Sequence, residues 1–208
     1  MYTHSKEFRD GLTPDLALKL LKEGNERFVG NLAANHNLLQ QANATAEDQY
    51  PFATILSCMD SRTSAELIFD QGLGDIFSIR IAGNIVNEDI LGSMEYATKA
   101  VGTKLILVLG HTKCGAITGA CNGVEMGHLT SLLGKIKPAM DREITVIENR
   151  SGDNAEYVNK VTMINIDWSI EQIRQQSEII ARLEREGKVK ITGGLYDVKS
   201  GRVTFYDQ

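Results

Sequence analysis

The 208-residue sequence predicts an α/β fold: a mainly parallel β-sheet flanked by helices, preceded by an N-terminal helical arm. Two short apolar runs, residues 52–56 and 104–109, end abruptly in polar and glycine residues, as buried parallel strands do. Segments of helical periodicity lie between and after them, and strands separated by helices define the α/β class. A later apolar run, residues 189–195, returns the chain to the core after a long helical stretch.

Taken in order, residues 1–12 read as a loose arm. Thr13-Pro14-Asp15 starts a helix, with a Thr cap, proline in the first turn and an acid against the positive helix end. Leu16, Leu20, Leu21 and Phe28 mark its apolar side. The Asn- and Gln-rich stretch 31–49 reads as a long loop or broken helix lying against something, a second subunit included. Strand one leads into Cys58, and residues 64–70 form a short helix ended by Gly72 and Gly74. Strand two covers 75–81, after which Gly83-Asn84 turns away. Asn87-Glu88-Asp89 caps a helix to about residue 100, with Ile90, Met94 and Ala97 on one side and Gly102 closing it before strand three.

Gly115, Ala116, Gly119 and Ala120 suit a helix packed closely on the sheet, with Cys121 in the core. A helix beginning at His128 is expected to end with the help of Pro138. Residues 154–186 are helical in pattern, with a break expected near Asp167-Trp168-Ser169. After the last core strand, Lys199-Ser200-Gly201 turns into a hairpin at an edge. One domain, 1–208, is expected: arm and helices to 50, α/β core 51–195, C-terminal hairpin 196–208.

This length buries a sufficient core without disulfides. The net charge of −5 argues against a nucleic-acid partner, which needs a basic face. Three cysteines make no disulfide framework, so reduced thiols and a cytoplasmic setting are expected. No apolar run approaches a membrane span, and nothing after Met1 reads as a signal peptide.

Two hexamers carry the chemistry: Ser57-Cys58-Met59-Asp60-Ser61-Arg62 and Gly110-His111-Thr112-Lys113-Cys114-Gly115. Each follows a strand, and open α/β sheets bind ligands just past the strands' carboxyl ends. Cys58, His111 and Cys114 therefore converge, and such a set leaves one zinc position open, as catalytic zinc requires. Singly, a cysteine ending a strand is most often a small hydrophobe. Asp60 and Arg62 are poor choices at a buried strand end unless they pair with each other or with another polar group.

The motifs resemble the signature of the β-class carbonic anhydrases, C-x-D-S-R followed by H-x-x-C-G. The resemblance extends through residues 75–84, 92–97 and 194–201. It implies that family's fold, a homodimer or higher homo-oligomer such as a tetramer, and Zn2+ on Cys58, His111 and Cys114. The implied reaction is reversible hydration of carbon dioxide to bicarbonate and a proton by zinc-bound hydroxide. It assigns Asp60 to accept a hydrogen bond from that hydroxide, and Arg62 to hold Asp60 off the metal through its planar fork. In the plant-type branch a glutamine, a phenylalanine and a tyrosine line the substrate pocket, matching Gln49, Phe77 and Tyr96 here, with Gln49 and Tyr96 from the partner chain. The other branch carries a regulatory bicarbonate pocket with a tryptophan three residues before the first cysteine. Ile55 stands there, and the sole tryptophan is Trp168, so that pocket is not expected. Ala116 replaces a common glycine. Two alternatives share the signature: a hydrolase of carbon disulfide or carbonyl sulfide with the same fold, and a non-catalytic zinc-stabilised scaffold. His4, His36 and His128 are proton-shuttle candidates by chemistry alone.

Overall fold

The computed structural model describes residues 3–206; the outermost ends of the expected arm and hairpin, 1–2 and 207–208, lie outside the described residues. The arm proves partly helical. In α1 (Lys6–Gly11) the Ser5 hydroxyl accepts from the Phe8 N–H, and Arg9 reaches across the fold to donate to the Val101 carbonyl. In α2 (Pro14–Val29) the Thr13 hydroxyl accepts from the Leu16 N–H at 3.2 Å, as the Thr-Pro-Asp start predicts. Its buried side is Ala17, Leu18, Leu21, Gly24 and Asn25, whereas Leu16 faces outward. Gly24 admits no side chain, because a Cβ there would lie 1.8 Å from the Phe69 carbonyl oxygen. Buried Asn25 donates to the Ile68 and Gly201 carbonyls and accepts from the Val203 N–H, tying the C-terminal hairpin to this helix. The polar stretch that follows is a broken helix: only α3 (Leu38–Ala44) is helical.

The sheet comprises β1 (Ala53–Ser57), β2 (Ile76–Arg80), β3 (Leu105–His111), β4 (Lys190–Tyr196) and β5 (Val203–Phe205), in the order β2-β1-β3-β4-β5. All neighbours are parallel except β4 and β5, which form the expected antiparallel edge hairpin. Every residue of β1 and β3 is buried, which is why they read as continuous apolar runs. From β1 the chain first goes outward to β2 and then returns to lay β3 on the other flank. The gap between the carboxyl ends of β1 and β3 is therefore the topological switch point, where such sheets hold ligands.

The connections are α4 (Ala65–Ile68), a 3₁₀ turn over Ala82–Asn84, and α5 (Glu88–Glu95), which widens into a π-helical stretch over Tyr96–Val101 before Gly102 at φ +98°. Then come α6 (Gly115–Cys121), α7 (Gly127–Gly134), α8 (Lys137–Arg142), α9 (Ala155–Gln176) and α10 (Glu178–Arg185). Two boundaries differ from expectation. Pro138 opens α8 rather than ending the helix before it. The long helical segment breaks at Ser177, not near Trp168: the Ser177 hydroxyl accepts from the Ile180 N–H and donates to Glu95 at 2.6 Å. No helix among the described residues is long and apolar enough to cross a membrane.

Candidate metal centre

Register brings the donors together. Ser57 pairs with Leu109, so the chain leaves β1 at Cys58 beside the end of β3, which runs two residues further than its apolar pattern and finishes on His111. A tight turn with Lys113 at φ +56° then delivers Cys114 to the N-terminus of α6. The sulfurs of Cys58 and Cys114 are 3.9 Å apart, and the three donor atoms lie within 4.8 Å of one another. All three residues are buried, His111 completely.

The donor chemistry fits one metal ion. His111 Nδ1 lies 3.0 Å from the Thr112 carbonyl oxygen, which fixes the ring and its tautomer. Its Nε2 is buried and has no hydrogen-bond partner among the described residues, an arrangement that costs stability unless a ligand uses it. The Cys58 thiol is pulled below the ordinary thiol value, chiefly by the hydrogen bond from Cys114, with the Gly83 N–H adding to it. Cys114, which gives that bond and is itself buried, is pushed up. The thiolate is the form that binds metal, and the hydrogen bond from Cys114 favours it on Cys58.

Asp60 stands two residues beyond Cys58 but is held elsewhere. Its Oδ1 accepts from the Arg62 backbone N–H at 2.9 Å and from Nε at 2.8 Å, and its Oδ2 accepts from Nη2 at 2.7 Å. This forked pairing keeps the Asp60 carboxyl well below the usual carboxylate range. Two residues that sequence reasoning passed over fix the same backbone. Arg80, at the end of β2, donates to the Cys58 and Asp60 carbonyls at 3.2 and 2.6 Å, and the Thr63 hydroxyl lies 2.9 Å from both of those oxygens. Only an arginine ending an edge strand hinted at this.

A cavity of about 280 Å³ opens beside Cys58 and Asp60, with Ala82, Ala116, Leu129 and Leu133 making its wall mainly apolar. Gln49, Phe77 and Tyr96 do not line it. Phe77 and Tyr96 instead share a pocket of about 600 Å³ along β2, their ring centroids 6.4 Å apart. Gln49 is exposed, and Tyr96 is 60% exposed. None of the candidate shuttle histidines lines the cavity either. His4 stacks on Phe8 and lies 3.7 Å from Asp75; His36 lies against Asp70 and Gln41; His128 lies in the first turn of α7. Cys121 is a core residue, its thiol pushed up to about 11 by burial.

A buried Cys/His/Cys cluster at the switch point of a parallel sheet defines an α/β metalloprotein with a three-donor centre. The family model described as carbonic anhydrase matches residues 53–203, and the chain belongs to that family, in its β class. It is 34% identical over 195 residues to carbonic anhydrase 2 of Mycobacterium tuberculosis, covering 93% of each chain. It is also 34% identical to the carbonic anhydrase of Mycolicibacterium smegmatis, covering 91% of this chain and 92% of that one. Among solved structures, a tetrameric β-carbonic anhydrase of Sordaria macrospora superposes with a TM-score of 0.73 at 24% identity, covering 89% of this chain and 94% of that one. The Coccomyxa β-carbonic anhydrase gives 0.73 at 24% identity, covering 92% and 86%. The family's metal is zinc, for which the Cys58–His111–Cys114 group is suited.

Proposed function

We propose that this protein catalyses the reversible hydration of carbon dioxide to bicarbonate and a proton. The observation that carries the reading is the buried three-donor cluster whose neighbouring carboxylate, Asp60, is drawn away by Arg62. Bound to Cys58, His111 and Cys114, zinc supplies a Lewis acid that makes water nucleophilic near neutral pH. The side chains do the rest. Asp60, kept ionised by the Arg62 fork, can only accept hydrogen bonds. It therefore accepts a hydrogen bond from the attacking oxygen's O–H and so turns that oxygen's lone pair towards the substrate. Arg62, paired with both carboxylate oxygens, keeps Asp60 from acting as a fourth donor. The apolar wall of Ala116, Leu129 and Leu133 suits an apolar gas.

Gln49 and Tyr96 act in this reading from a second copy of the chain, as the resemblance implies, and Phe77, which the resemblance does not assign to the partner, goes with Tyr96. Phe77 and Tyr96 lie side by side at the unpaired edge strand β2, so a two-fold dimer across that edge would deliver both, with Gln49, to the partner's cavity. The working unit is then a homodimer or a tetramer built from it, and three free thiols fit a reducing, cytoplasmic setting.

Stopped-flow hydration of carbon dioxide by the zinc-loaded protein tests the reaction, with carbonyl sulfide turnover as the second arm. Fast hydration, lost in Cys58→Ser, is expected. Carbonyl sulfide turnover without hydration would overturn the assignment in favour of a hydrolase, and zinc content without either activity would make the site a scaffold.

A further inference from the structure

Gly83 and Asn84 both sit in the left-handed region, at φ +68° and +41°, in the 3₁₀ turn that follows the edge strand β2. Consecutive left-handed residues are unfavourable for an L-residue such as Asn84 and need outside support. The turn aims the Gly83 N–H at the Cys58 sulfur, 3.4 Å away. At φ +68° and with a Cβ falling 2.9 Å from the Ile136 Cδ1, the Gly83 position favours glycine.

The support comes from the far side of the fold. Asn165 Nδ2 donates to the Gly83 carbonyl at 2.9 Å, and the Ser169 hydroxyl donates to the Asn84 carbonyl at 3.1 Å. The two lie one turn apart on α9, each 1% exposed, among buried residues of that helix that are mainly apolar, Val161, Ile166, Ile170 and Ile173 with Thr162 among them. Asparagine is a poor helix former and costly to bury. Its Oδ1 has no hydrogen-bond partner among the described residues, so what Asn165 contributes here is its donor.

We propose that Asn165 and Ser169 are positioning residues for the metal centre: by gripping both carbonyls of the left-handed turn they hold the Gly83 N–H on the Cys58 sulfur. A hydrogen bond to a thiolate draws electron density from sulfur, weakens its donation to the metal and leaves the metal a stronger Lewis acid. Releasing the grip makes Cys58 a more electron-rich, less well-oriented ligand. The inference rests on the metal-site reading above.

The test uses cobalt-substituted and zinc-loaded protein. In Asn165→Leu and Ser169→Ala the sulfur-to-cobalt charge-transfer band should move to lower energy, and zinc should pass to a competing chelator about 10-fold faster than from wild type, the lower end of what outer-sphere ligand partners contribute. Thr162→Val is the control, since that buried hydroxyl bonds only to its own helix at Val158. It should leave band and chelator rate unchanged. If Asn165→Leu does not fold, Ser169→Ala decides by the same two readings. Wild-type band and rate in the folded variants, or equal changes in Thr162→Val, would overturn the positioning role. A wild-type protein that takes up no cobalt would instead bring down the metal-site reading itself.

Discussion

Replacing Arg62 by alanine separates the two fates open to Asp60. In the native pair the Arg62 side chain is half exposed and Asp60 largely buried. An ion pair with one exposed partner stabilises by about 1 kcal/mol, and forked charge-assisted geometry raises this to about 2 kcal/mol. The Arg62→Ala variant keeps the backbone N–H bond to Oδ1 and loses both guanidinium bonds. Release of about 1–2 kcal/mol shifts the balance between held and free Asp60 by roughly 5- to 30-fold. Freed Asp60 lies two residues from Cys58, and zinc accepts carboxylate readily, so it would complete a closed tetrahedron. Hydration rates near neutral pH should fall by roughly that factor and recover in part as pH rises, because hydroxide competes better than water for the fourth position. Protonation of Asp60 does not explain such a profile. Its folded-state pKa is depressed, so the pair's contribution is present above the unfolded carboxylate value and is lost only as pH falls through the strongly acid range. Arg62→Lys, with the charge but not the fork, should fall between. Stopped-flow rates and cobalt spectra across pH are the assay. Wild-type rates with an unchanged spectrum in Arg62→Ala would refute the gating role.

Cys58→Ser and Cys114→Ser should each lose metal and hydration together, since a neutral hydroxyl replaces a thiolate; metal analysis of the purified variants checks this. If each site is shared between subunits, Cys58→Ser and Tyr96→Ala chains, each weak alone, should regain activity when mixed and reassembled. In the mixed dimer one intact donor set meets one intact Tyr96, and no recovery would mean that Tyr96 serves its own chain. Asp197 is held to about 2, first by the Ser200 hydroxyl and then by the Lys199 N–H. Its stabilisation is therefore present above the unfolded carboxylate pKa and fades as pH drops towards 2, so Asp197→Asn should lower Tm at neutral pH and much less in acid.

The sequence by itself determined what depends on neighbours along the chain. Period and capping located every strand and most helices, from Thr13 at the start of α2 to the turn at Gly201. The three donors and the Asp60–Arg62 fork were legible because each sits within a few residues of a strand end. Only the tertiary structure decided what depends on residues far apart. Helix α1 forms where the sequence reads as a loose arm, with Arg9 held by the Val101 carbonyl 92 positions away. The long helix breaks at Ser177, whose hydroxyl bonds Glu95 across 82 positions, and not at Trp168, where the Arg142 guanidinium covers the indole at 4.4 Å. Beyond its place at a strand end, Arg80 carries no local mark of its hold on the Cys58 carbonyl, and Asn165 carries none of its hold on the Gly83 carbonyl, because those carbonyls are brought close by sheet order and by helix packing. Phe77 and Tyr96 have the right types at the right spacing, yet the edge position of β2 puts them beside each other rather than in the cavity at their own chain's donors. Spacing fixes which residues can share an element; which elements meet is set by the burial of apolar faces over the whole chain, and that leaves no periodic trace in the sequence.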